Sequence, residues 1–575
     1  MENTNYAPQT VYTLTARCRD CYRCLKACPV KAIRMKDGQA YVDAQRCISC
    51  GTCIRECPQH AKTYIQSLHE AKKILEENGA VAASVAPSFA AFFPGWQAGR
   101  LASALRRLGF EFVAQTSDAA YDVARASVEM AAKKGGATSI CTACPAVVNY
   151  VEKYRPEFAD KLLAVASPMI AHAARLKAGE RKFDKVIFIG PCVAKKQEAA
   201  RPEYAGIVDC VLTFEELAQW FDDEKIDLKN CEESGYDSGG AGFSRLFPLP
   251  GGMLRTAGIG TPAGDVKYIH ISGPREVIQA FDTKGLDGFF VEPLFCEGGC
   301  INGPGVKTGG NIFEKRKNLV EYAGDMKGAA AEPEFNNDFL SRGEFTGACA
   351  VIQARYTEDE IKNILEKTGK SGPEDMLNCG ACGYAGCREK AVAVLDGMAE
   401  IEMCLPYMRR LAEQRTDKII ETSPNGIVVL DRDLKIIKMN PAFKKFFSVS
   451  DSYMGSDISV IMDPAQFERL ASGTAENIDS PVENAGGYSF HELFYALRQY
   501  GQYVGIFVDV TNSRHDREKL ETIRVKTAGQ AREMLDEQVK MSQQIAWQLG
   551  ENMARTEELV KKLTELSGGG DAHGK

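Results

Sequence analysis

Several absences narrow what this chain of 575 residues can be. No apolar run approaches the roughly 20 residues that a helix needs to cross a bilayer, so no membrane span is expected. The opening stretch, MENTNYAPQTVY, has neither the basic start nor the apolar segment of a secretory signal, so a cytoplasmic location is expected. There is no long block of lysine and arginine and the formal net charge is -7, so no footprint for nucleic acid is expected. Hydrophobic residues at 45% and charged residues at 26% are ordinary for globular domains, about four of them at roughly 150 residues each.

Cysteine, by contrast, is abundant at 20 residues. In a reducing compartment these are poor material for disulfides and good material for metal-binding thiolates. The first group runs Cys18, Cys21, Cys24, Cys28-Pro29 and then repeats as Cys47, Cys50, Cys53, Cys57-Pro58. This is the bacterial two-cluster ferredoxin pattern written twice, in which the fourth cysteine of each run serves the other cluster. Cys18, Cys21, Cys24 and Cys57 are thus assigned to one 4Fe4S cluster, and Cys28, Cys47, Cys50 and Cys53 to the other. Structural zinc, which takes four thiolates, is the competing reading of paired C-x2-C motifs.

The second group is dispersed: Thr138 to Pro145 (TSICTACP), Gly190 to Glu198 (GPCVAKKQE) and Glu292 to Cys300 (EPLFCEGGC). These segments resemble the three signature loops of iron-iron hydrogenases, over residues 75 to about 368. The resemblance implies that Cys144, Cys192, Cys296 and Cys300 hold a 4Fe4S cube. It implies too that Cys300 bridges to a diiron subsite carrying carbonyl, cyanide and a dithiolate, together called the H-cluster. With one protein thiolate on the diiron pair, its cyanides need hydrogen-bond donors from the loops. Lys195 stands at the family's cyanide-pairing position, followed by Glu198 in P-C-x-x-K-x-x-E. Ser88, in Val85-Ala86-Pro87-Ser88, matches the loop that donates to the other cyanide. The segment from Phe243 to Gly252 (FSRLFPLPGG) stands where the family covers its site.

The third group is Cys379, Cys382, Cys387 and Cys404. It resembles a small single-cluster 4Fe4S domain, with zinc again the competing reading. The three groups take up 16 of the 20 cysteines. The remaining Cys141, Cys210, Cys231 and Cys349 are expected to be small buried apolar residues.

The chain departs from catalytic hydrogenases at the proton route. Ala143 occupies the place of the cysteine that relays protons in catalytic members, and a methyl group cannot do so. Ala126 and Ser127 stand about where carboxylates of that route are expected, while Gly190 and Leu294 replace methionines near the subsite. Low turnover is therefore expected. Cys141, two residues before Ala143, is the rival candidate for a displaced relay.

After Cys404 cysteines cease. Strands Ile427 to Leu430 and Lys435 to Met439, a turn at Asp431 to Asp433 and a helix beginning at Asn440-Pro441 resemble a PAS sensor domain, which closes at Asp509-Val510-Thr511. No cofactor is expected there, His491 being its one candidate haem ligand. Beyond Asn512 a helix is expected, with spacing of 3 and 4 through Ala528, Ala531, Leu535, Gln538, Ser542, Ile545, Leu549, Asn552, Thr556, Leu559, Leu563 and Leu566. This heptad pattern fits a signalling helix and a homodimer.

The expected fold class is multidomain, α/β and α+β. A two-cluster ferredoxin-like domain (1–70) precedes an H-cluster domain (75–368) and a single-cluster domain (369–411). A PAS domain (412–513), a signalling helix (514–567) and a flexible tail (568–575) follow. The order and Ala143 together resemble sensory iron-iron hydrogenases, which implies slow reversible hydrogen oxidation and proton reduction, a ferredoxin-type redox partner, and a signalling kinase or phosphatase downstream. Alternatives are a metabolic ferredoxin-linked hydrogenase with the PAS domain as docking module, and an electron-transfer scaffold lacking the diiron subsite.

Overall fold

The computed structural model describes residues 9–511, apart from 78, 180, 239–241, 259–266, 284–285, 307–309, 325–339, 341–342, 352–353 and 486–487, together with 527, 534, 537–538 and 540–541. The chain forms two compact units, residues 1–408 and 409–575.

In the first unit, two small antiparallel ladders frame the N-terminal cysteine runs. Strand β1 (Val11–Thr13) pairs with β4 (Lys62–Tyr64), and β2 (Ile33–Lys36) with β3 (Gln39–Val42). Alternation turns Ile33 and Met35 inward and Arg34 and Lys36 outward. The two runs fold alike: Asp20 and Ser49, Tyr22 and Gly51, Lys31 and His60 occupy matching positions, and all six have positive φ. At Gly51 the matching is combined with a close approach, since a Cβ there would lie 2.4 Å from the Pro304 ring.

The central region is built on two parallel sheets. One has the order β6 (Phe112–Gln115), β5 (Val81–Val85), β8 (Lys185–Gly190), β9 (Cys210–Thr213). The other runs β10 (Lys267–Ser272), β11 (Phe289–Leu294), β7 (Ser139–Ile140). β5 is buried at every residue, as a strand covered on both faces must be, and is made of small residues, apolar except for Ser84. Its sheet carries the largest core, with Leu101, Leu105, Ile170, Ile187 and Leu217.

The segment bearing the third cysteine group shares the core of the ferredoxin-like lobe: Tyr384, Ala393, Met398 and Met403 pack with Leu25, Ile33, Met35 and Val42. Met35 N–H donates to the Met398 carbonyl at 2.9 Å, Lys31 Nζ to the Gly383 carbonyl at 3.0 Å, and Arg46 pairs with Asp396 at 2.9 Å. Segments some 350 residues apart thus make one lobe.

In the second unit, a five-stranded antiparallel sheet has the order β13 (Ile436–Met439), β12 (Gly426–Leu430), β16 (Gln502–Asp509), β15 (Tyr488–Leu497), β14 (Asn477–Ala485). Asn440 caps the helix Pro441–Phe446, its side chain accepting from Phe443 N–H at 2.9 Å and Ile427 N–H at 2.7 Å. Phe443, Phe446, Phe467, Phe490, Phe494 and Phe507 fill the interior. His491 lies on β15 with Nε2 2.9 Å from Asp479 Oδ1. The expected helix 514–567 lies outside the described residues except at 527, 534, 537–538 and 540–541, and the tail 568–575 wholly so. Of the heptad positions, Gln538 alone is described. Among the described residues no helix is long and apolar enough to cross a membrane.

Candidate cluster sites and active site

Parallel strands gather their following loops at one edge, where open α/β sheets bind ligands. Ser88 lies three residues beyond β5, Cys192 two beyond β8, Cys296 two beyond β11, and Cys144 four beyond β7. Residues separated by up to about 210 positions in sequence thus leave the same kind of strand end. Cys144 caps the helix Pro145–Tyr154. Gly303 and Gly305 fit tightly against the Pro191 carbonyl, and Gly305 N–H donates to it at 2.8 Å, tying the Cys192 loop to the Cys300 loop. Cys300 N–H donates to the Pro248 carbonyl at 2.8 Å, so the expected covering segment lies against that ligand.

The electrostatics of the thiols record their convergence. Burial pushes Cys296 well up, and the charges of Cys192, Cys300 and Cys144 push it further. Cys192 is raised to about 11 by burial and then by Cys144. Cys300 is raised by burial, then by Cys144 and Cys192. Four thiolates forced together below the surface repel one another unless positive iron neutralises them, so this donor set fits a cluster.

The surroundings fit the diiron pair too. Ser88 is fully buried and its hydroxyl has no hydrogen-bond partner, a state that costs about 1–3 kcal/mol unless something accepts from it. Lys195, on the helix Ala194–Ala199, lies near enough to Cys144, Cys192 and Cys300 to favour their thiolates. Its Nζ is held by Glu198 at 2.6 Å and the Ala143 carbonyl at 3.3 Å.

Around Ala143 the wall is apolar. Ala126, Val123, Met253 and Phe290 form one core with Cys141, whose thiol burial pushes up to about 12. Ser127 Oγ donates to the Val123 carbonyl at 2.7 Å. Leu294 is buried in β11, and Gly190 has no room for a side chain, a Cβ there falling 2.7 Å from the Phe188 ring. A carboxylate missed by the sequence reading is present: Glu292, on β11, is 3% exposed. Its Oε1 accepts from Met253 N–H at 3.1 Å, its Oε2 has no partner, and burial raises its carboxyl to about 7. Its charge reaches both Cys141 and Cys300. The only signal in the sequence is an acidic residue inside an apolar strand.

At the N-terminal runs, Cys18, Cys21, Cys24 and Cys57 line one cavity with Ala40 and Lys62. Cys53, raised by burial, is raised again by Cys47, Cys28 and Cys50. Both groupings are the crossed ones. Backbone N–H groups donate to sulfur from Ala32 to Cys28 at 3.2 Å, Ser49 to Cys47 at 3.3 Å and Ala61 to Cys57 at 3.2 Å. The second set adjoins the central site: Ile48 and Cys50 pack in one core with Cys144 and Cys192, and Arg55 donates to the Asn302 carbonyl at 2.9 Å. In the third group, Cys382 is raised by burial and then by Cys404 and Cys379, while Cys387 opens the helix Cys387–Leu395. Among the described residues no three His, Cys, Asp or Glu side chains close tightly enough on one point for a single ion.

Of the other cysteines, Cys210 and Cys231 are buried in the largest core and Cys349 is half-buried on a turn.

Comparison with known proteins assigns the regions. Residues 79–304 match the family model of the iron only hydrogenase large subunit, C-terminal domain, and residues 10–74 that of a 4Fe-4S dicluster domain. Residues 375–406 match a model named for an Fe-S cluster, and 414–480 a PAS domain. The chain therefore carries an iron-only hydrogenase large-subunit domain, a 4Fe-4S dicluster domain and a PAS domain. Iron hydrogenase 1 of Clostridium pasteurianum is 25% identical over 332 residues, 49% of this chain and 56% of that protein. The cytosolic Fe-S cluster assembly factor NAR1 of Vanderwaltozyma polyspora is 39% identical over 92 residues, 16% of this chain and 18% of its own. A solved structure concerning stepwise FeFe-hydrogenase H-cluster assembly, of HydA(deltaEFG), is 17% identical with a TM-score of 0.39, covering 49% of this chain and 100% of that one. The chain thus spans from about a fifth to about half of the length of these two curated relatives.

Proposed function

We propose that this chain is a hydrogen sensor of the iron-iron hydrogenase type. The observation that carries the proposal is the convergence of Cys144, Cys192, Cys296 and Cys300 beside a buried Ser88 hydroxyl without a partner, next to an alanine where a relay thiol belongs. When bound, the diiron pair supplies the interconversion of dihydrogen with protons and electrons.

The chain's own residues do the rest. Ser88 offers its hydroxyl proton as a hydrogen bond, and Lys195, fixed by Glu198 and the Ala143 carbonyl, offers its ammonium. The apolar wall of Ala143, Ala126 and Phe290 excludes water. Glu292, with a carboxyl raised to about 7, holds a proton at Oε2 near neutral pH, close enough for its charge to reach Cys141 and Cys300. General acid-base assistance is worth about 10²–10⁴-fold, so losing the relay slows turnover by a comparable amount. Slow turnover suits a sensor, which needs occupancy to bias two conformations and not flux.

The Cys28 set, whose Cys50 packs in one core with Cys144 and Cys192, would hold a cluster able to take up electrons from the central site, and the Cys18 set and the third group, which share another core, would hold clusters able to carry them on. In sequence Cys404 leads directly into the helix Leu405–Thr422 and the PAS domain. A signalling kinase or phosphatase, dimerisation through residues 514–567 and a cytoplasmic location belong to the same proposal.

Turnover of the matured full chain is the test. A hydrogen-oxidation rate orders of magnitude below that of a catalytic hydrogenase is expected, and a comparable rate would replace the sensor with the ferredoxin-linked metabolic reading. The similarity to NAR1 favours a second reading, a cluster-bearing protein without the diiron pair. Against it stands Ser88, whose hydroxyl then has nothing to bind.

A further inference from the structure

Lysines lie near all the cysteine groups, but at the third group an ammonium is hydrogen-bonded directly to one of the sulfurs. Lys370 is buried, and its Nζ donates to Cys404 Sγ at 3.2 Å while also meeting the Thr368 hydroxyl at 2.9 Å and carbonyl at 3.4 Å. Lys390, also buried, projects from the helix Cys387–Leu395 and donates to the Ile401 carbonyl at 2.9 Å, with Cys382 and Cys404 near enough to feel its charge. The partners of the two ammonium groups are carbonyls, a hydroxyl and a thiol, with no carboxylate among them. In the ferredoxin-like runs Cys28, Cys47 and Cys57 accept from neutral backbone N–H groups, and the buried Lys62, whose charge also reaches Cys24 and Cys53, spends its hydrogen bonds on the Thr13 hydroxyl and the Ala40 carbonyl rather than on a sulfur.

Glu402 is near enough for its charge to reach Lys390 but is not hydrogen-bonded to it, and two buried cations with no carboxylate bonded to either are costly unless another anion lies close by. A cube with four thiolates is such an anion, and one added electron makes it more negative, with the extra charge spread onto the sulfurs. An ammonium in contact with one of those sulfurs stabilises the reduced form more than the oxidised form. Cluster charge and hydrogen bonds to sulfur are the levers that set reduction potential.

We infer that Lys370 and Lys390 set the potential of the third cluster, making it the most easily reduced of the three accessory clusters and the place where electrons come to rest. The step is the gain of one electron by the cube, with no bond made or broken and no proton moved. The inference deepens the proposed function, resting on electrons leaving the central site, and it gives that reading a storage point next to the start of the helix Leu405–Thr422.

Its test needs no hydrogen and no diiron pair. The full chain is reconstituted with iron and sulfide and titrated with redox mediators while the clusters are followed by electron paramagnetic resonance. Loss of one signal in Cys387→Ala identifies the third cluster. That signal is expected to emerge at the highest potential of the three. Lys370→Met and Lys390→Met are each expected to weaken its electron affinity about tenfold, which is about 59 mV for one electron, with the signals of the other clusters unmoved. Lys370→Arg, which keeps the charge, is expected to stay near the parent.

The inference is overturned if the third cluster is not the first reduced, if both Met variants with full iron content titrate like the parent, or if Lys370→Arg falls as far as Lys370→Met. Should Lys370→Met lose its cluster, shown by iron count, Lys390→Met decides alone. Potentials in the expected order, together with a separately matured sample that carries the diiron pair and still ignores hydrogen, would sink the sensor and leave this inference standing.

Discussion

The first unit assembles cysteines in two ways. In the ferredoxin-like lobe eight cysteines fall within 40 residues, on two matched loops with the same left-handed positions, so local chain geometry brings them together. In the central domain four cysteines are spread over 157 residues and are brought together by the ends of two parallel sheets. The first arrangement is carried by spacing and tolerates weak tertiary structure. The second exists only if both sheets form, and in return it admits residues such as Ser88 and Glu292 that no spacing rule could recruit.

The comparison can be broken at its strongest point by Cys300→Ala. Removal of the shared ligand is expected to abolish hydrogen reactivity altogether while both ferredoxin-like clusters persist, as read by gas consumption and by resonance spectra. Cys57→Ala tests the other assembly: with crossed ligation it removes the cluster of Cys18, Cys21 and Cys24 and spares that of Cys47, Cys50 and Cys53. Loss of the latter instead would mean uncrossed ligation. The effect is one cluster of four iron atoms, measurable by iron count.

Smaller effects sharpen the contrast. Ser88→Ala removes a donor that only tertiary structure supplies and is expected to lower activity or diiron retention about 10- to 100-fold. Glu292→Gln is expected to lower hydrogen evolution about tenfold. Because its carboxyl is raised to about 7, it carries a proton below that pH and has lost it above. Evolution by the parent should therefore fall as pH rises through 7, and the variant should lack that fall. Gly51→Ala joins the two assemblies, since Gly51 has a positive φ and meets Pro304. It is expected to cost about 1–3 kcal/mol, seen as a lowered denaturation midpoint.

What was legible in the sequence follows the same division. The ligand sets at 18–57 follow from spacing, and the capped helix after Asn440 from local chemistry. Cys144, Cys192, Cys296 and Cys300 were legible only through their flanking motifs, because intervals of 48, 104 and 4 residues carry no geometric meaning by themselves. Lys370 was not legible at all: it lies 34 residues from Cys404, and nothing periodic links them. Nor was the shared core of Met35 and Met398, since packing between such distant segments leaves no local trace. Glu292 was hidden because its burial depends on the Gly251 to Leu254 turn folding over it.

The central claim is that four dispersed thiolates hold one cube with a diiron pair attached. Infrared spectroscopy of the matured full chain, first under hydrogen and then under argon, tests it most directly. Bands of metal-bound carbonyl and cyanide that shift under hydrogen and return under argon are the expected result. A matured protein with its iron in place and no such bands would contradict the account.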